Sequence, residues 1–199
     1  MSTQILVAFY SSTGATAAMA EGAARALEAA GHTVRLRRFQ ETAPDAAVQS
    51  QEAWAAEAQR QASIPVLTGE DIVWAKGILF ALPTRFGGMP AQAKAFFDTL
   101  GGLWFQGQLA NKAVSAVVSA GNAHGGQEAT VLGLYTMLAH WSAVIVPPGY
   151  SDPALFAAGG NPYGVSHTAN GPVSEATHAA VAVQALRLAK VAAAIDGAL

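Results

Sequence analysis

Short apolar runs alternate along the chain with longer stretches of helical spacing, and this alternation sets the predicted order of elements. Ile5-Leu6-Val7-Ala8-Phe9-Tyr10 is apolar without a break, which predicts a strand buried on both faces at the centre of a parallel sheet. Helical spacing follows over 15–30, with Gly31 placed as the C′ residue that ends it. Thr33-Val34-Arg35-Leu36-Arg37 alternates apolar and charged positions, so it reads as a half-exposed strand near an edge. Between Glu41 and Leu67 the periodicity lapses around Pro44 and Pro65, leaving only a helical piece over 51–61. Further strands are predicted at 77–82, 113–119 and 144–146. Helices are predicted at 70–75, 90–100, 127–141 and 174–196, with Ser174 as the N-cap of the last.

Strands and helices thus alternate five times, the pattern of a doubly wound α/β fold with a five-stranded parallel sheet and helices on both faces. The whole chain, 1–199, reads as one domain with insertions at about 41–68 and 147–173, the second rich in Pro, Gly and Asn. Sheets of this kind bind ligands outside the carboxyl ends of their strands. The loops after strands one, three and four are therefore the places to look.

Composition narrows the classes. The chain has 12% charged residues against the usual ~25%, a formal net charge of −2 and no basic run longer than Arg37-Arg38. A nucleic-acid surface needs a basic stripe, and none is present in the sequence. Without cysteine there is no thiolate chemistry, so a redox role requires a cofactor. No 18 apolar residues run together and the first ten lack a basic n-region, so neither a membrane span nor a signal peptide is expected and the cytoplasm is the default. So few charges on an Ala/Gly-rich chain favour burial of some surface between subunits.

The first loop, Ser11-Ser12-Thr13-Gly14-Ala15-Thr16, offers four hydroxyls, a glycine and the free N–H groups of a helix start. It has no lysine and is not a Walker loop; it suits one monoester phosphate, although a plain Ser/Thr cap would look the same. The second, Pro83-Thr84-Arg85-Phe86-Gly87, can present backbone N–H groups, a cation and an aromatic wall to a flat ring. The third, Ser119-Ala120-Gly121-Asn122-Ala123-His124-Gly125, is small and glycine-rich and precedes a helix. Any one of these is compatible with an ordinary connection, but three at one sheet edge point to a ligand. Glu128, Asp98 and Glu175 read as loop or helix charges, and His32, His167 and His178 as surface or loop residues without metal-ligand spacing.

These residues also resemble a known family. The first loop is similar to the flavodoxin phosphate loop, and Pro83-Thr84-Arg85-Phe86-Gly87 resembles the P-T-R-F-G signature of WrbA-type NAD(P)H:quinone oxidoreductases. Gly101-Gly102-Leu103-Trp104, Gly125-Gly126-Gln127-Glu128, Leu138-Ala139-His140 and Asn161-Pro162-Tyr163-Gly164 resemble further segments of that family, in the same order. The resemblance implies FMN, NADH or NADPH as electron donor, a quinone acceptor, a flavodoxin-like strand order 2-1-3-4-5 and a homotetramer whose neighbours complete each site. It also implies that Ser11 through Thr16 hold the phosphate, that Pro83 through Gly87 and Ser119 through Gly125 hold the ring, and that Arg85, Trp104 and His140 face the reacting groups. An electron-transfer flavodoxin and an FMN-binding scaffold are the alternatives; a net charge of −2 suits a steered carrier poorly.

Overall fold

A computed structural model describes residues 2–168 and 171–198. Its parallel sheet contains β1 (Gln4–Phe9), β2 (Thr33–Arg38), β3 (Gly77–Pro83), β4 (Ala113–Ala120) and β5 (Val144–Ile145) in the order β2-β1-β3-β4-β5. This is the flavodoxin-like order. The side chains of β1, β3 and β4 alternate between two apolar layers, which is why these strands read as unbroken apolar runs. Ile5, Val7, Phe9 and Leu79 face α1 (Ala15–Ala29) and α9 (Glu175–Ile195). Leu6, Ala8, Ile78 and Phe80 face α4 (Gly69–Trp74), α5 (Ala91–Asp98) and α7 (Gln127–Ala139).

The structure departs from the sequence expectation at the far edge. The fifth strand ends at Ile145, and Pro147-Pro148 then carry the chain out of the ladder, because proline has no N–H to donate. After α8 (Pro153–Ala157) the chain returns as β6 (Ser166–Thr168), paired with the carboxyl half of β4 through Val118↔Ser166, Ser119↔His167 and Ala120↔Thr168. The edge position is thus filled by two short pieces. His167, expected in a loop or on the surface, is a nine-tenths buried strand residue. The segment 41–67 carries two helices, α2 (Asp45–Gln49) and α3 (Glu52–Arg60), and a short α6 (Gly101–Phe105) follows α5.

Helix α9 is long and apolar enough to cross a membrane by length and composition alone. Ala180, Ala185, Leu188, Ala189 and Ala192 are fully buried in the core, and the alanines let it approach α1 closely. It is a core helix.

The edge strand β2 turns Arg35 and Arg37 to one layer, where Asp71 receives both, at 3.0 and 3.1 Å. Asp71 also closes the capping box of α4 with Thr68. Burial opposes its charge, but the bonds from Arg37 and Thr68 prevail and hold its carboxyl below the ordinary range. A depressed folded pKa stabilises fully above the unfolded value, near ~3.9, and that contribution disappears as pH falls through the folded one. Asp71→Asn is therefore expected to cost about 1–3 kcal/mol at pH 7 and progressively less below about pH 4. Urea melts at pH 7 and pH 3 check this; an equal deficit at both would refute it.

Candidate active site

The central strands β1, β3 and β4 reach the cleft in step. Thr84 N–H donates to Ser119 O at 2.8 Å, and Tyr10 N–H donates to Ala81 O at 3.1 Å, so the loops leave the sheet side by side. Gly14, at φ 99°, opens α1 with a backbone conformation that suits glycine, and its N–H donates to Ser11 Oγ at 3.0 Å. Thr16, buried like Ser11 at the other end of this loop, has its hydroxyl 2.7 Å from Ser119 Oγ, tying the first loop to the third.

The second loop is a two-residue hairpin. Arg85 and Gly88 exchange backbone hydrogen bonds of 2.7 and 3.0 Å around Phe86 at φ 53° and Gly87 at φ 77°. Two positive φ angles make this a type I′-like turn, which glycine accepts and phenylalanine resists. The strained Phe86 projects wholly into solvent. Thr130 donates to Thr84 Oγ1 at 2.8 Å, and Gly126 packs so closely on Gly87 that a Cβ there would lie 2.6 Å from the Gly87 Cα. Close backbone packing therefore joins the second and third loops.

Between them lies a cleft of about 330 Å³, walled by Ser11, Ser12, Thr13 and Thr16, by Pro83, Thr84 and Arg85, and by Ser119, Ala120 and Gly121. Arg85 reaches across it to Ser12 Oγ at 3.0 Å. Gly14 lies in the turn behind the hydroxyls and Ala15 begins α1, Phe86 and Gly87 sit at the tip of the hairpin, and Asn122, Ala123, His124 and Gly125 lie beyond the third wall. Trp104 and His140 are elsewhere. His140 follows the last turn of α7, about 20 Å along the helix from Gln127, at the amino edge of the sheet. There Trp104 Nε1 donates to the His140 backbone carbonyl at 2.8 Å, and both residues are exposed. Within one chain they do not line the cleft, so a place for them beside its ligand would have to come from a neighbouring copy.

Residues from the first insertion, with no motif to mark them, brace the cleft. Gln61 donates to Ser11 O at 3.0 Å. Glu57 stands near Gly14, its carboxylate held by Arg60 through two bonds of 2.8 Å, and Arg60 also pairs with Glu21. That pairing offsets the negative charge beside the loop. Glu41 accepts from Tyr10, Trp54 and Gln92 side chains at 2.8, 3.2 and 2.6 Å and from two backbone N–H groups. Burial works against the Glu41 charge, but these donors hold its carboxyl below the usual range; burial and the adjoining carboxylate push the Tyr10 phenol up.

The donor set fits a phosphorylated flat ring. Hydroxyls and helix-start N–H groups suit the phosphate, Arg85 suits its charge or a polar ring edge, and the Ala120-Gly121 wall leaves room for a planar group. No cluster of three metal-ligating side chains occurs among the described residues.

The chain is 48% identical to an NAD(P)H dehydrogenase (quinone) of Deinococcus radiodurans, over 98% of both chains. It is 37% identical to a protein of the same name from Geobacter metallireducens, over 98% of this chain and all of that one. A flavodoxin, WrbA-like protein from Agrobacterium tumefaciens superposes with a TM-score of 0.69 at 20% identity, covering 98% and 99% of the two chains, and shares the fold. Residues 4–153 match the NADPH-dependent FMN reductase family, to which this chain belongs.

Proposed function

We propose that this protein is an FMN-dependent NAD(P)H:quinone oxidoreductase of the cytoplasm, where reduced nicotinamide is supplied. The cleft formed by three loops at the carboxyl edge of the sheet carries the reading, with the names of its full-length relatives in support. Ser11, Ser12, Thr13 and Thr16 would hold the FMN phosphate with the N–H groups of Gly14, Ala15 and Thr16. Thr84 to Gly87 and Ser119 to Gly125 would hold the ring. The flavin, when bound, supplies hydride acceptance from NAD(P)H and hydride donation to a quinone. The chain's own residues bind, orient and exclude water. Donor and acceptor use one exposed ring face in turn, so ping-pong kinetics are expected.

Trp104 and His140 can wall that face only from a neighbouring copy, and this supports the homotetramer the resemblance implies. There the His140 imidazole would donate a hydrogen bond or a proton to the reduced quinone. NADH consumption with p-benzoquinone, with and without added FMN, tests the reading. FMN-dependent turnover is expected; no turnover by protein with FMN bound would overturn it in favour of an electron carrier.

A further inference from the structure

Behind the third loop, on the side away from the first cleft, lies a second and larger one of about 750 Å³. Ala123 and His124 form its near rim, Gln127 and Glu128 its wall, and Asn161 and Thr168 of the second insertion its far side. The 119–126 loop is therefore the partition between two clefts at the same sheet edge. A dinucleotide whose nicotinamide half stacks on the exposed ring face at the mouth of the first cleft can pass this partition and place its other half in the second.

We infer, resting on the function proposed above, that the second cleft takes the adenosine half of the nicotinamide donor and that Glu128 there favours NADH over NADPH.

The chemistry of the lining supports this. His167, nine-tenths buried on β6, engages one ring nitrogen with Gly171 O at 3.4 Å, and its other makes no hydrogen bond among the described residues. Gln127, also buried, gives its amide N–H to Asn122 O at 2.8 Å, and its amide oxygen has no hydrogen bond among the described residues. These are two acceptors for the amino edge of a purine or the hydroxyls of a ribose. Gly159 and Gly160 leave space for a ring without side-chain obstruction. Glu128 is exposed and forms no ion pair among the described residues, so its carboxylate is free to accept from ribose hydroxyls, as the acidic residue of dinucleotide folds does. The same charge repels a 2′-phosphate. Among the described residues no lysine or arginine lines the cleft to offset that repulsion.

Calorimetric titration of FMN-loaded protein with ADP-ribose and with 2′-phospho-ADP-ribose tests this without any turnover, since neither probe carries nicotinamide. ADP-ribose is expected to bind about tenfold more tightly, the difference one charged contact makes. Glu128→Gln should reduce that ratio and Glu128→Arg should reverse it, and both lie at an exposed position where folding is not at stake. Equal binding of the two probes, no binding of either, or a ratio unmoved in Glu128→Arg overturns the subsite. Probe binding as expected without NADH:quinone turnover leaves the subsite standing and overturns the proposed reaction instead.

Discussion

Gly126→Ala is expected to weaken FMN binding by tenfold or more and to lower the melting temperature by several degrees. Two costs combine. Gly126 has φ 88°, where a Cβ strains the backbone by roughly 1–2 kcal/mol. The same Cβ would lie 2.6 Å from the Gly87 Cα and 3.2 Å from its N, atoms of a backbone already committed to a tight hairpin. Overpacking of that kind costs about 1–3 kcal/mol. Relief comes only by moving the 84–88 hairpin away from the 119–126 loop, which widens the cleft between Arg85 and Gly121 and breaks the Thr130 to Thr84 bond of 2.8 Å. The loss therefore falls on the ligand more than on the core. Gly133→Ala is the control: that glycine sits inside α7 with open space around it, so alanine should stabilise by about 0.5–1 kcal/mol. Quenching of flavin fluorescence on titration into apoprotein gives the affinity and a thermal melt the stability. Unchanged flavin affinity in Gly126→Ala would contradict the interlocked-loop account.

The alternation of apolar runs and helical spacing was enough to find the central strands, because each is buried on both faces and its composition says so, while their order came from the resemblance. The charged alternation of Val34, Arg35, Leu36 and Arg37 marked the edge for the same reason. What could not be read is where long-range contact decides local structure. Nothing near Gln61 announces that its amide supports Ser11, fifty positions away. Phe86 in a positive-φ turn runs against its own propensity, and the bonds between Arg85 and Gly88 help to impose it. Loop positions were legible because hydroxyls and glycines at strand ends carry local physical meaning. Trp104 and His140 were placed by resemblance, which carries a role across chains without saying which copy supplies it.

The same distinction governs Gln184→Leu, which makes α9 more regular as an apolar stripe and yet is expected to destabilise by about 3–5 kcal/mol. Gln184 is fully buried, and by pattern alone a leucine belongs there. Its amide, however, donates to Ser115 Oγ and Ala116 O, both at 2.7 Å, and its oxygen accepts from Val165 N–H at 2.8 Å. Val165 is where the second insertion rejoins the sheet, and its neighbour Gly164 comes so close that a Cβ would lie 2.2 Å from Ala116 O. Leucine cannot hydrogen-bond there, and no water fits a contact so close, so the Val165 N–H is left buried without a partner at roughly 1–3 kcal/mol. Ala116 O and Ser115 Oγ lose a donor in the same step. A chain of this length shifts its melting temperature by about 2–4 °C per kcal/mol, so a fall of roughly 6–20 °C should be seen. Gln184→Glu distinguishes shape from bonding: it keeps the acceptor for Val165 but loses the amide donors and buries a charge, so it should fare no better. A melting temperature within two degrees of the parent for Gln184→Leu would mean that apolar packing, and not this network, joins α9 and β6 to the sheet. The expected fall would instead make one buried amide the joint between the core and the strand that floors the second cleft.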